Sequence, residues 1–288
     1  MTKFEPITRP HAPYLDEILG QPHDVLDHGF IRVIDYMGDE AAIVQAARVS
    51  YGEGTKTPSD DRGLIRYLMR HWHTTPFEMC EIKLHVKLPI FVARQWIRHR
   101  TASVNEVSAR YSILPGEFYV PAAEDVQAQS KTNKQGRSGE IGPDRAKGFS
   151  TGARDYGDMA FRDYNTSLKW GVARELARIN LPLSTYTEWY WKVNLHNLMH
   201  FLRLRADPHA QLEIRRYAEV ICEILQSWLP NVWGAFQDYR LDAVTFSSAE
   251  MEVVRRALES VPYAIPADFS KGEALEFTQK LFPEHSSD

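Results

Sequence analysis

The sequence predicts an α+β fold, one antiparallel sheet packed with a helical layer, in a single domain spanning residues 1–288. Three observations point there. The segment Glu81-Ile82-Lys83-Leu84-His85-Val86-Lys87-Leu88 alternates polar and apolar residues without a break, which is the period of a half-buried strand. Phe30 to Tyr36 is a second run of strand-forming residues, closed by Met37-Gly38-Asp39. Beyond residue 153 the pattern turns helical, in stretches near 153–180, 184–205 and 208–229.

From the N-terminus, residues 1–28 carry Pro and Asp and predict a loosely packed lead-in. The strand over 30–36 follows. Residues 39–50 predict a helix whose apolar positions are Ala41, Ile43, Val44, Ala47 and Val49. Pro58-Ser59-Asp60-Asp61 predicts the start of another, since acids in a first turn face the positive end of the helix dipole. It runs through Leu64, Leu68 and Met69 towards His71 and stops before Pro76. After the alternating strand, Pro89 lacks a ladder donor but suits a first helical turn, so a helix is expected over Ile90 to Arg98. Arg94 and Arg98 then lie one turn apart with Gln95 beside them. Residues 127–153 are polar, rich in Gly and Ser and nearly free of large apolar side chains, and predict a long mobile loop. Asp207-Pro208 caps the helix that follows. The core is expected over about 30–230. A peripheral extension covers about 240–288, with a helix at Ala249–Val261.

The formal net charge of −4, with pI ≈ 6.3, argues against bulk binding to nucleic acid or a membrane surface. Cys80 and Cys222 lie far apart and form no CxxC, which disfavours a disulfide scaffold or a thiolate metal site and suits a reducing cytoplasm. No apolar run reaches membrane-spanning length, and a cytoplasmic protein is expected. GxGxxG, GxxxxGK[ST] and GxSxG are all missing, so neither dinucleotide and P-loop sites nor a serine nucleophile elbow are indicated.

Against that acidic background the segment from Arg98 to Tyr111 stands out. Arg98, His99, Arg100 and Arg110 bracket hydrogen-bonding residues, and Glu106 is the one acid among them. Arg without Lys suits bidentate capture of a phosphate or a pyrimidine edge. Pairing with surface acids is the ordinary use of such arginines, but it does not account for His99, Asn105 and Ser108 alongside them. His71 and His73 are two residues apart and point away from each other on a helix, so no metal site is expected there. His196 and His200 are four apart on a helix that also carries Leu198, Phe201, Leu202 and Leu204. Polar groups in a buried stripe need partners, and an organic ligand or a second subunit can supply them.

At these residues the chain resembles the flavin-dependent thymidylate synthase family. The family signature, Arg-His-Arg, seven residues, then Ser, stands here as Arg98-His99-Arg100 and Ser108. Gln95-Trp96, Asn105-Glu106 and Arg110-Tyr111 match around it. So do Arg48-Val49-Ser50, His73 to Glu78, Ala177-Arg178-Ile179 with Leu181-Pro182, and Asn194 through Gln211. The resemblance implies reductive methylation of dUMP to dTMP, with methylenetetrahydrofolate as carbon donor and NADPH as reductant through FAD, and no cysteine nucleophile. It implies that Arg205 is the catalytic residue. By position it assigns dUMP to Gln95, Trp96, Ile97, Arg98, Glu106, Val107, Ser108, Ala109, Arg110, Arg178 and Arg205. It assigns FAD to Ser50, His73, Thr75, Arg98, His99, Arg100, Glu106, Asn194, Leu195, His196 and His200. His196 and His200 depart from relatives expected to carry Arg and Asn there. A homotetramer with sites shared between subunits is implied as well. The alternative from another class is a single-stranded nucleic-acid-binding protein using Arg98–Tyr111 with nearby aromatics as a stacking groove.

Overall fold

The computed structural model describes residues 9–49, 61–131, 134–258, 264–267 and 269–282. The chain divides into two compact units, Met1–Leu241 and Asp242–Asp288.

The first unit is built on a five-stranded antiparallel sheet: β1 (Pro22–Val25), β2 (Gly29–Met37), β3 (Glu81–Pro89), β4 (Ser103–Glu106) and β5 (Tyr186–Asn194), in the order β1-β2-β3-β5-β4. β3 lies at the centre, and its alternation does what the sequence predicts. Ile82, Leu84, Val86 and Leu88 are buried, while Glu81, Lys83, His85 and Lys87 face the other side. A bulge between Val33 and Asp35 breaks the register of β2 against β3. The apolar face is covered chiefly by α8 (Leu212–Trp228), with α1 (Pro13–Ile18), α4 (Ile90–Trp96) and α7 (Leu195–Arg205) packed around it. α2 (Glu40–Val49), α3 (Asp61–Arg70) and α9 (Pro230–Phe236) pack at its side. The expected helix start at Pro58–Asp60 lies outside the described residues.

Expectations over four stretches are corrected: 12–28, 127–153, 153–180 and 184–205. Residues 1–28 are not a loose lead-in from residue 12 onward. Pro13 opens α1, Leu15 is fully buried, and the Tyr36 hydroxyl donates to Asp16 Oδ1 at 2.6 Å while accepting from Ala12 N at 2.7 Å. The stretch 184–205 is not one helix. Its first half is β5, where Trp189, Trp191 and Val193 face the core and Glu188, Tyr190 and Lys192 face away, a period of two. The helical pattern begins only at α7, because the Asn194 side chain caps it by accepting from Asn197 N at 3.0 Å. The Arg-rich segment also contributes strand β4, paired to β5 from Ser103↔Lys192 to Glu106↔Trp189.

Nor do the described residues of 127–153 form a long mobile loop. Ala128, Ser130, Gly136, Ser138 and Gly139 close a small hairpin-like turn by backbone hydrogen bonds. Pro143 then opens the 27-residue helix α5 (Pro143–Lys169), well before the expected boundary. Three glycines in α5 lower its helix propensity. One of them, Gly157, is required by packing, because a Cβ there would run into the Phe118 ring. Phe118, Phe161 and Tyr164 form this helix's own small core. Arg174–Ala177 makes a further short helix, α6, where continuous helix to 180 is expected.

The second unit holds α10 (Ser248–Leu258) and α11 (Lys271–Leu281). α11 is opened by a reciprocal capping box between Ser270 and Glu273.

Gly29 is the tightest point between the sheet and α8. A Cβ there would run into the Tyr217 hydroxyl and stand 2.7 Å from Val25 O and 2.8 Å from Lys87 O. Tyr217 is fully buried and donates to Lys87 O at 2.8 Å, so it has nowhere to go. Gly29→Ala is therefore expected to lower stability by about 1–3 kcal/mol, read as a fall in the urea midpoint at unchanged m-value.

Candidate functional site

The site is assembled from two segments far apart in sequence. The first leaves α4. Trp96 is 1% exposed and locked among Trp189, Trp191, Phe201 and Tyr217, with its ring stacked on Phe201 at 4.5 Å between centroids. From that anchor the chain tightens into a turn in which His99 N donates to Trp96 O at 3.0 Å, and this sets the start of Arg98-His99-Arg100. The second segment is the junction of β5 and α7. Residues 196, 200 and 204 share one face of α7, and Arg205 closes its last turn.

The two segments meet at a hydrogen bond: Arg205 Nε donates to His99 Nε2 at 3.1 Å. Arg205 Nη2 also reaches the Gln95 carbonyl at 3.5 Å. Around this pair opens a cavity of about 570 Å³ lined by Arg98, His99, Arg100, Thr101, Trp191, Val193, His196, Asn197, His200, Leu204 and Arg205. His196 and His200 are shared with a smaller pocket of about 60 Å³, walled by Leu68, Met69, Phe77, Met199 and Phe236, with His73, Thr74 and Trp72 at its edge. Trp72 holds a left-handed φ of 61°, and Arg240 lies 3.5 Å over its ring while donating to Met69 O. Trp72, Arg203 and Arg240 were not among the expected site residues. Arg240 follows α9, remote in sequence from His73, and nothing in its local pattern points to the pocket.

Not every expected residue reaches this cavity. Ser108, Arg110 and Arg178 do not line it. Arg110 instead pairs with Glu175 at 3.2 Å, beside α6 and just before Arg178. The Ser108 hydroxyl accepts from Arg110 N at 3.3 Å, and Ser108 O accepts from the amides of Tyr111 and Ser112, so Ser108 to Ser112 forms a compact turn. Glu106 Oε1 accepts from the Thr187 hydroxyl at 2.7 Å. Trp96 and Leu195 have their side chains in the core, which leaves only their backbones for a ligand; Ile97 is exposed. Thr75 is exposed at the start of the turn Thr75–Met79, and the Asn194 side-chain oxygen already accepts from Asn197 N and Nδ2. Ser50 lies outside the described residues.

Electrostatics fix the character of the pair. Burial, reinforced by the Arg205 charge and by His200, lowers His99 to about 4, so the imidazole is neutral at neutral pH. Since its Nε2 accepts from Arg205, the ring proton sits on Nδ1, which is left as a donor. Burial also lowers His196. Both thiols are pushed the other way: burial first, then nearby carboxylates, raise Cys80 and Cys222 to about 12. No group of His, Cys, Asp and Glu that could hold a metal ion occurs among the described residues.

Residues 32–231 match the family model described as thymidylate synthase complementing protein. The chain belongs to the flavin-dependent thymidylate synthase family. It is 61% identical to the flavin-dependent thymidylate synthase of Gluconobacter oxydans, over 87% of this chain and 84% of that protein. It is 57% identical to the one of Rickettsia conorii, over 94% and 97%. A solved UMP/dUMP methylase, PolB from Streptomyces cacaoi, bound with 5-Br UMP, superposes with a TM-score of 0.68 at 35% identity, covering 77% of this chain and 99% of PolB.

The donor set fits the flavin cofactor of this family. Arg98 and Arg100 suit a pyrophosphate. The neutral His99 offers a directed N–H, and Val193, Leu204 and Trp191 give apolar wall for a planar ring system.

The depressed imidazole has a consequence for stability. His99 takes its proton at about 6.5 when unfolded but only near 4 when folded, so the unfolded state binds the proton first as pH falls. Its contribution to stability is full above about pH 6.5, is lost between there and about pH 4, and changes no further below. His99→Gln is expected to flatten the loss across that window, measured as the urea midpoint against pH, while the half-buried position keeps the effect modest.

Proposed function

We propose that this protein makes dTMP from dUMP by FAD-dependent reductive methylation, with methylenetetrahydrofolate as carbon donor and NADPH as reductant. One observation carries the reading: Arg205, a half-buried guanidinium fixed by neutral His99 and the Gln95 carbonyl, stands at the wall of a cavity whose other cations are Arg98 and Arg100. The chemical problem is to make C5 of uracil nucleophilic without a thiol added at C6. Two of the five Arg205 N–H groups are occupied, and the remainder can hydrogen-bond the pyrimidine oxygens as negative charge grows on them. Burial strengthens that interaction, and because His99 is uncharged it does not compete with Arg205 for the developing charge.

FAD supplies hydride transfer when bound, and the residues that would hold it are Arg98, His99 and Arg100 with His196 and His200. His73, at the adjoining apolar pocket, is placed to orient the folate. Ser108 to Arg110 and Arg178, outside the Arg205 cavity of their own chain, are read as the dUMP phosphate group of a neighbouring site, which is why we favour a homotetramer with shared sites. Two free thiols, Cys80 buried and Cys222 half-buried, fit a cytoplasmic setting; no helix among the described residues is long and apolar enough to cross a membrane. The single-stranded nucleic-acid reading is not retained. Part of the Arg98–Tyr111 segment is hydrogen-bonded into the sheet as β4, and its turn at Ser108 closes on itself, so it offers no continuous stacking groove.

Purified protein is expected to carry, or to bind on addition, a flavin with its visible absorbance, and the absence of both would refute the proposal. Tritium release from C5-labelled dUMP should require NADPH. Arg205→Ala is expected to cut dTMP formation by at least ~100-fold while the flavin spectrum stays. Cys80→Ala and Cys222→Ala, each with a raised thiol, should keep turnover, and loss of activity in a folded variant would restore thiol catalysis.

A further inference from the structure

Behind the site lies a buried carboxylate that the chemistry above does not use. Glu213, in the first turn of α8, is 2% exposed. Its Oε1 accepts from Arg137 Nη2 at 3.0 Å and from the Tyr119 hydroxyl at 3.3 Å, and its Oε2 accepts from Gln211 Nε2 at 2.8 Å. Gln211 Oε1 in turn accepts from Gln95 Nε2. Gln95 is the residue whose backbone carbonyl meets Arg205.

This chain has a direction. A carboxylate paired with a guanidinium is an acceptor only, and Glu213 Oε1 lies 3.0 Å from Arg137 Nη2. Gln211 must therefore present its NH2 to Glu213 and its oxygen to Gln95. Gln95 then directs its NH2 end to Gln211, which turns its Oε1 away from the relay.

We propose that Glu213, acting through Gln211, is a positioning residue that sets the polarity of Gln95, so that the nucleotide must meet Gln95 with a hydrogen-bond donor. The proposal rests on the reading that dUMP occupies the Arg205 cavity. Away from its phosphate, dUMP has two donors, the N3–H imide and the 3′-hydroxyl. Glu213→Gln keeps the shape and reverses the sense of the relay. Gln at 213 holds its oxygen towards Arg137 and Tyr119 and its NH2 towards Gln211. Both glutamines then turn over, and Gln95 offers NH2 where it had offered oxygen.

The test is equilibrium binding of dUMP and of two analogues, N3-methyl-dUMP and 2′,3′-dideoxyuridine monophosphate, to the FAD-loaded protein. In the parent protein at least one analogue should bind roughly tenfold or more weakly than dUMP, the cost of leaving the Gln95 oxygen unpaired. In Glu213→Gln that discrimination should collapse, because deleting the donor removes a clash of two donors. Gln211→Met, at an exposed position, cuts the relay while the carboxylate keeps its bonds from Arg137 and Tyr119, and should shrink the same ratio even if Glu213→Gln folds poorly. If the parent protein does not bind dUMP, the functional reading itself fails. If it binds dUMP and neither deletion costs affinity, or if both variants keep the parent ratio, the positioning role is overturned and the functional reading stands.

Discussion

The packing of Trp96 is the contact on which the rest of the site depends. Its indole touches Trp189 and Trp191 of β5, Phe201 of α7 and Tyr217 of α8, and it is itself the last residue of α4. Two of those elements carry or lead directly into the cavity wall, Arg98 to Arg100 after α4 and His196 to Arg205 on α7, and the start of α8 supplies Gln211 and Glu213 behind it. Replacing a buried Trp by Ala costs about 3–5 kcal/mol. Here the loss would also release the relative positions of His99 and Arg205, which sit 106 residues apart in sequence.

Around that anchor the site keeps opposite extremes of protonation close together. Arg205 is cationic although burial lowers its pKa, and the imidazole it donates to is neutral. The neutrality follows from the same burial and from the guanidinium itself, since a second positive charge beside a half-buried first would go unscreened. A directed donor on His99 Nδ1 and the free N–H groups of Arg205 therefore face the cavity with fixed geometry. The two thiols show how burial, reinforced by neighbouring carboxylates, acts on an acid, for their raised pKa removes the thiolate that other thymidylate chemistry would need.

The sequence made some elements plain and hid others for identifiable reasons. β3 was legible because one face of it is buried and the other is not, so period two survives in the letters. β5 has the same period, yet it runs straight into α7 with no Gly or Pro between them, and the helical pattern of 195–205 was carried back over it. The structure separates them at Asn194, whose side chain does the work of a cap. The sequence predicts loop up to residue 153 because Gly148, Gly152 and the polar run before them lower helix propensity. α5 is stabilised instead by Phe161 and Tyr164 packing on Phe118, a contact between distant positions. Arg240 was invisible for the same reason, since its role exists only against Trp72.

The chain alone determined the α+β class, the Arg98–Tyr111 island, its signature spacing to Ser108, and the family those residues belong to. These are local in sequence, and chemistry at fixed spacing survives being read as a string. Tertiary structure decided which of those residues share a cavity. It brought Arg205 to His99, took Trp96 and Leu195 into the core, left Ser108, Arg110 and Arg178 on another part of the chain, and tied Gln95 to Glu213. Protonation state and hydrogen-bond direction depend on burial and on the atom opposite, and both are properties of a three-dimensional neighbourhood.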